Sequence, residues 1–426
     1  MNKPISLSFG KTHIPFEYEE ARFEVLDQIP GSRALGDREL GELFDSPFDS
    51  ANIEELIGPN ETVLVVVPDG TRKVGAGQVV NLLVRRLIAA GAMPYDIGIA
   101  FATGLHRKVN RRERKEILTP FIEQRIKTID HDPSDLLGFV RLGTTSSGIP
   151  IEINRKVLEA DHVILVGGVS FHYFAGFTGG RKLVCPGLAS KRTIVGTHSL
   201  AFEKMKMNRA EGVRTGKLTG NPVHESFVEV VEKVNPSFGF NTFVDQSGDI
   251  TDLVCGDWKT SHEEACRRYL SAHQIGINEK RGLVIASCGG FPFDINLIQA
   301  HKAIDAASRA CKEGGSIVLI AECSDGFGST EFEKWLGREN ADSIANDIAE
   351  NYAVGGQTAW NLLRLSEKFD IKIVTKLRPR RPIQGVTLYE DLSGALADTI
   401  PSDSGYIIPH GAKFLPVQKE NGPAAV

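Results

Sequence analysis

The chain has 426 residues, of which 41% are hydrophobic and 24% charged, with a net charge of −5. That length exceeds what one hydrophobic core ordinarily organises, so two domains are expected, and the composition is that of a globular chain. No face-sized basic block marks a nucleic-acid partner, and no apolar run approaches the ~18–20 residues that cross a bilayer, so neither partner is expected.

The opening MNKPISLSFG lacks the apolar core of a secretory signal. Six cysteines occur without a CxxC pair, which reads as small buried thiols in a reducing cytoplasm. Alternating runs in the first fifty residues, such as 5–9, predict an edge hairpin and a connector. The unbroken run TVLVVV at 62–67 has the pattern of a strand buried on both faces. Helical apolar spacing follows at 78–90 and stops at Gly91. A second buried strand is expected at 96–101, a helix at 110–127 and a third strand at 162–166. Helices are expected at 190–206 and 223–234, the latter opened by Asn221-Pro222.

The glycine-bracketed GINEKRG at 276–282 reads as a linker. Beyond it the rhythm restarts with strand 283–287, helix 294–311, strand 316–321, helices across 329–367 and strand 371–375. Strands alternating with helices argue for parallel sheets. The expected fold is therefore α/β with two domains, 1–276 and 277–426, each a largely parallel sheet flanked by helices, with the active site in the cleft between them. The tail at 409–426 is expected to be a surface strap or partly disordered.

Ligands of open parallel sheets bind beyond the carboxyl ends of the strands. Four predicted strands are followed there by glycine with polar groups: Pro68-Asp69-Gly70-Thr71-Arg72, Ala102-Thr103-Gly104-Leu105-His106, Gly167-Gly168-Val169-Ser170-Phe171-His172 and Cys288-Gly289-Gly290. The third continues through Gly176, Thr178, Gly179, Gly180 and Lys182 to Thr197-His198. Glycines there let the backbone bend tightly, and their N–H groups with Thr178 suit a phosphate. The stretch is no Walker A loop, because Arg181 and Leu183 break GxxxxGK[ST].

His106 and His172 stand just past strand ends beside glycine and suit paired acid–base work. His198 reads equally as a helix residue or a single metal ligand. Lys182 reads as a phosphate contact, a solvated lysine or a covalent anchor. Arg72 offers a fork for a carboxylate. Gln299 and Lys302, three apart, share a helix face. The remaining histidines, including His131, His224 and His262, read as ordinary side chains, and HExxH is absent.

The D-x-T-R turn at 69–72, the glycine–x–histidine turn at 104–106, the run H-Y-x-A-G-F-x-G-G-x-K at 172–182 and the Thr197-His198 pair resemble the lactate racemase family of nickel-pincer-nucleotide-dependent 2-hydroxyacid racemases and epimerases. The resemblance covers nearly the whole chain and implies a nickel-pincer nucleotide covalently attached to Lys182, with His198 as the nickel ligand. It implies His106 and His172 as acid–base pair. Asp69, Thr71, Thr178, Gly179 and Gly180 would hold the cofactor, and Arg72, Gln299 and Lys302 the substrate. The expected activity is inversion of C2 of a lactate-like or larger hydroxyacid by reversible hydride transfer. Cofactor-synthesis enzymes would act in trans, and a homo-oligomer is compatible with it. Two positions depart from the lactate-specific pattern, Ile298 for a tyrosine and Gly70 for a histidine, and both bear on the substrate, as does His301. Weighed against this are a zinc-dependent hydrolase and a non-catalytic binding protein of the same fold.

Overall fold

The computed structural model describes residues 1–27, 33–70, 72–400 and 404–419. The chain forms two compact units. The middle unit takes Gly31–Leu200 and Glu211–Leu270, and the flanking unit takes Met1–Pro30, Ala201–Ala210 and Ser271–Ala425.

The middle unit is built on a six-stranded sheet. Its order is Ile250–Gly256, Phe238–Val244, His162–Gly168, Val63–Pro68, Ile97–Ala102, Lys127–Ile129. All neighbours are parallel except the first pair. Val65 pairs with Ile99 on one side and Ile164 on the other, and all three are fully buried. That double burial is why 62–67 carries no polar alternation.

Helix Ala76–Ala89 covers this sheet through Ala76, Val79, Val80, Leu83, Val84 and Leu87, an apolar stripe at helical spacing. Each of the larger side chains stabilises the fold by about 1.5–3 kcal/mol through burial. The helix ends in a Schellman turn: Ala92 N–H bonds the Leu87 carbonyl, Gly91 N–H bonds that of Ile88, and Gly91 takes φ +107°.

The flanking unit has its own six-stranded, all-parallel sheet. Its order is Val386–Tyr389, Asp370–Val374, Cys311–Ile320, Arg281–Ser287, Gly405–Ile408, Phe23–Val25. An antiparallel hairpin, Asn2–Phe9 with Thr12–Glu19, precedes it in the chain, as the alternating pattern predicts. Among the described residues no helix is long and apolar enough to cross a membrane.

The division of the chain differs from a single cut at 277, which falls at the end of a strand, Gln274–Ile277, paired with Leu415–Gln418. Phe23–Val25 completes the flanking sheet by pairing with Gly405–Ile408, so the first residues join the last. No local signal reports a pairing across that much chain. The predicted helix 110–127 is two helices, Arg111–Ile117 and Pro120–Arg125, because Pro120 disfavours helix at the residue before it. The predicted helix 190–206 stops at Ser199, and Phe202–Glu203 then pairs with Asn208–Arg209 in a short hairpin that joins the flanking unit, burying Phe202 against Trp360. The tail strap is in part a strand, with residues 420–426 outside the described residues.

Candidate active site

In the middle sheet the chain runs outward from Val63–Pro68 on one side through Ile97–Ala102, and on the other through His162–Gly168. Strand order therefore reverses there, and crevices for ligands open at the carboxyl ends of strands at such a reversal. Asp69 and Arg72 follow the central strand, His106 follows one neighbour and His172 the other. Gly104 N–H donates to the Gly187 carbonyl at 2.9 Å, which ties the second turn to the 172–198 stretch. Thr71 lies outside the described residues.

Asp69 is buried, and its carboxylate accepts a 2.7 Å hydrogen bond from His106 Nδ1. That bond fixes the proton on Nδ1 and leaves Nε2 of a half-exposed ring with its lone pair. Arg72 N–H bonds the Asp69 carbonyl at 3.1 Å, closing the turn. Burial pulls the Arg72 guanidinium below its ordinary value, and the Asp69 charge opposes the shift.

His172 lies on a two-residue hairpin strand, opposite Gly176. The turn brings Ala175 N–H to His172 Nδ1 at 3.3 Å, so the neutral ring carries its proton on Nε2. Gly176 takes φ +77°, and a Cβ there would collide with the Lys217 carbonyl. Thr178 spends its hydroxyl inside the loop, donating to the Gly168 carbonyl at 2.8 Å and accepting from Ser170 N–H at 2.9 Å. Gly179 and Gly180 also have positive φ. A Cβ on Gly179 would stand 2.9 Å from the Gly168 oxygen, and one on Gly180 would overlap the His262 ring. Their bareness answers to the protein's own packing.

Lys182 sits in the 3₁₀ turn Gly180–Leu183 and His198 in the last turn of helix Lys191–Ser199. Two phenylalanines bring them to one wall. The Lys182 Nζ lies 5.7 Å from the Phe174 ring and 5.9 Å from that of Phe227. The His198 ring lies 5.2 and 5.3 Å from the same two rings. His198 Nδ1–H donates to the Ile194 carbonyl at 2.8 Å, which leaves the Nε2 lone pair. Burial first and the Lys182 charge second pull its pKa down to about 3, so the imidazole is neutral. A neutral ring whose other nitrogen is held by a carbonyl is the form that ligates a metal.

Among the described residues no three His, Cys, Asp or Glu side chains gather as metal ligands. A zinc hydrolase needs three protein donors or more. A metal on His198 must take its other donors from elsewhere, as a pincer ligand anchored at Lys182 would provide, so the residues present fit the nickel-pincer group.

Gln299 and Lys302 lie in the flanking unit, on helix Leu297–Ala307, where Lys302 Nζ donates to Gln299 Oε1 at 2.6 Å. His301 is buried, donates to the Ile298 carbonyl at 2.6 Å and is held neutral by burial, with a pKa of about 4. Ile298 packs against the hydrophobic core of that unit. A Cβ at Gly70 would meet Glu113 at 3.0–3.2 Å, and Glu113 is itself paired with Arg107, next to His106.

Sequence reasoning passed over four side chains behind this wall. Phe227 looks like any apolar position of helix Pro222–Glu232. Arg181 reads as a variable position of the motif yet is buried, beside His262. His224 and His262 are buried and neutral, with pKa values near 2 and 3 from burial first and the Arg181 charge next. Only the arginine inside a glycine loop offered a signal.

Comparison with known proteins gives the family and the fold. The family model described as the lactate racemase N-terminal domain matches residues 9–210, and that of the lactate racemase C-terminal domain matches 278–400. A lactate racemase from Thermoanaerobacterium thermosaccharolyticum is 29% identical over 336 residues, covering 78% of this chain and 77% of that protein. One from Lactiplantibacillus plantarum is 33% identical over 292 residues, covering 68% and 66%. The solved lactate racemase apoprotein from T. thermosaccharolyticum superposes with a TM-score of 0.88 at 25% identity, over 98% of this chain and all of that one. A Thermotoga maritima protein shares the fold with a TM-score of 0.70 at 22% identity, over 91% and 99% of the two chains.

Proposed function

The chain belongs to the lactate racemase family of isomerases, and from that premise we propose that it inverts C2 of a 2-hydroxyacid, lactate or a larger relative, by reversible hydride transfer. The observation that carries this reading is the convergence of Lys182 and the neutral His198 on one aromatic wall, past the strand that also leads to His172.

Lys182 would hold a nickel-pincer nucleotide covalently and His198 Nε2 would ligate its nickel; Asp69 and the Thr178–Gly179–Gly180 backbone would line that end, with Thr71 the further residue that the sequence motif assigns to it. When bound, this group supplies the acceptor that takes and returns the hydrogen of C2. Cofactor-synthesis enzymes would supply it in trans, in a reducing cytoplasm that suits six buried free thiols.

Arg72 forks onto the substrate carboxylate. His106 takes the hydroxyl proton at Nε2, and the Asp69 carboxylate stabilises the imidazolium that results. His172 serves the opposite enantiomer. At rest it offers an N–H at Nε2 to the substrate oxygen. To act as a base at Nε2 it must first move its proton to Nδ1 and release Ala175 N–H, a long contact that yields readily; the hydroxyl proton it then takes at Nε2 is the one it returns as a donor. Two bases are needed because the two enantiomers present their hydroxyls to different sides.

The test is intact-mass analysis of protein produced with the cofactor-synthesis enzymes, alongside racemisation of a panel of 2-hydroxyacids and aldonates. An adduct is expected on Lys182 and lost in Lys182→Ala together with activity. Unmodified protein with full activity would overturn the tether.

A further inference from the structure

Arg181 is a large, fully buried side chain at 1% exposure. Burial pulls its guanidinium down only to about 10, so it is charged at neutral pH. Among the described residues no carboxylate lies within ion-pair distance of it, the Glu263 charge acting only from farther off, and its Nε has no hydrogen-bond partner. A buried cation with no ion-pair partner in contact is costly, and an unsatisfied buried donor calls for a physical reason.

Its contacts supply one. Arg181 Nη2 donates to the Ala175 carbonyl at 2.8 Å. The N–H of the same residue, Ala175, donates to His172 Nδ1 at 3.3 Å. One residue is thus held by Arg181 at its carbonyl and sets the tautomer of His172 with its amide. Arg181 in turn adjoins Lys182 in the 3₁₀ turn, where Lys182 N–H closes onto the Gly179 carbonyl at 3.0 Å. The guanidinium is walled by His262, whose Nε2 lies 3.1 Å from Arg181 Nη1 and 2.9 Å from the Thr178 carbonyl. The same ring leaves no room for a Cβ on Gly180. The turn of His172 and the turn of Lys182 are therefore referenced to each other through a single side chain.

We propose that Arg181 is a positioning residue for the reaction: it ties Ala175 to the Lys182 turn and so fixes the tautomer and aim of His172 relative to the lysine. A lysine at 181 keeps the charge but loses the planar fork that reaches the carbonyl while packing on His262. A methionine loses both. The inference rests on the reading of His172 and Lys182 given above, but one of its two readouts needs neither cofactor nor turnover.

The first readout is the ¹⁵N spectrum of histidine side chains in the cofactor-free protein, with His172 assigned through His172→Gln. Wild type should show His172 with its proton on Nε2. Arg181→Met should give a mixed or reversed tautomer at His172 and leave His106, held by Asp69, unchanged. The second readout is kinetics of loaded enzyme. There kcat should fall about 10²-fold, the scale of a misplaced catalytic group, with KM nearly constant. Arg181→Lys should lie between wild type and Arg181→Met on both, and it carries both measurements if the methionine variant does not accumulate folded. An unchanged His172 tautomer and unchanged kcat, with only a lowered Tm, would overturn the proposal and leave Arg181 a structural filler. Wild-type loaded enzyme that racemises no 2-hydroxyacid would refute the function, while the spectra of the cofactor-free protein would still decide the clamp.

Discussion

Acid lability of the middle unit follows from its buried histidines. His131, His224 and His262 are kept neutral chiefly by burial, which pulls their pKa values from 6.5 to about 4, 2 and 3. In the unfolded chain each titrates at about 6.5. Between those values the unfolded state binds protons that the folded state refuses, so the contribution is intact above pH ~6.5 and is lost as pH falls below it. One pH unit below that point costs about 1.4 kcal/mol for each ring, or about 4 kcal/mol for three. That is a large share of the roughly 5–15 kcal/mol that holds a domain together. The figure at pH ~5.5 depends only on the folded values lying well below that pH. Carboxylates with lowered values, such as Glu264 between Arg267 and Arg268, act at lower pH, below their ordinary 4.5, so the two effects separate. The assay is urea unfolding at pH ~7.5 and ~5.5. It is read by Trp258, the one tryptophan of the middle unit, with Trp335 and Trp360 replaced by phenylalanine. A loss of about 4 kcal/mol or more is expected, since His198 adds to it in cofactor-free protein, and His224→Leu should remove about one ring's share. Equal stability at the two pH values, or an undiminished loss when all three rings are replaced, would refute the reasoning.

Asp69→Asn should lower kcat by about 10²–10⁴, the worth of a well-held general base, with little change in KM; near-normal turnover would detach Asp69 from His106 function. His198→Ala should lose nickel by elemental analysis while keeping the Lys182 mass adduct, and full nickel retention would remove His198 as the ligand. Gly176→Ala should lower Tm far more than Gly143→Ala, although both residues have positive φ, because only Gly176 faces a carbonyl oxygen where the Cβ would go. Equal shifts would mean that backbone strain alone sets the cost.

The middle sheet was legible wherever strands are buried on both faces, because an unbroken apolar run such as 62–67 has few other physical meanings. Phe238–Val244 escaped that rule, since Gly239, Asn241 and Thr242 interrupt the run while the backbone still pairs with His162–Gly168. The assignment of Phe23–Val25 and the 201–210 hairpin to the flanking unit was not legible, because a strand partner at Gly405–Ile408 and a packing partner at Trp360 lie far along the chain and leave no local trace. At the site, the strand-end rule found Asp69, Arg72, His106 and His172 by position alone. It could not find the bond between Asp69 and His106, nor the neutrality of His198, which both depend on distances that spacing does not encode. Arg181 was visible as an oddity, but whether an arginine in a glycine loop is buried or solvated is decided by the wall behind it.

That wall changes what the glycine-rich stretch means. Read as sequence, Gly176, Gly179 and Gly180 look like room made for a ligand. In the fold, each is demanded by a protein group: the Lys217 carbonyl, the Gly168 carbonyl and the His262 ring. The Thr178 hydroxyl is likewise occupied within the loop. Packing constrains these positions of the motif, and His172 and Lys182 are the members that the proposed chemistry uses. Rigidity of this kind suits paired proton transfers, whose rates fall steeply with misplacement. On the proposed function, the choice of substrate then falls outside the stretch. At Gly70 what fills the space beside it is the Glu113 side chain, itself held by Arg107 and the Asn110 N–H, and not backbone.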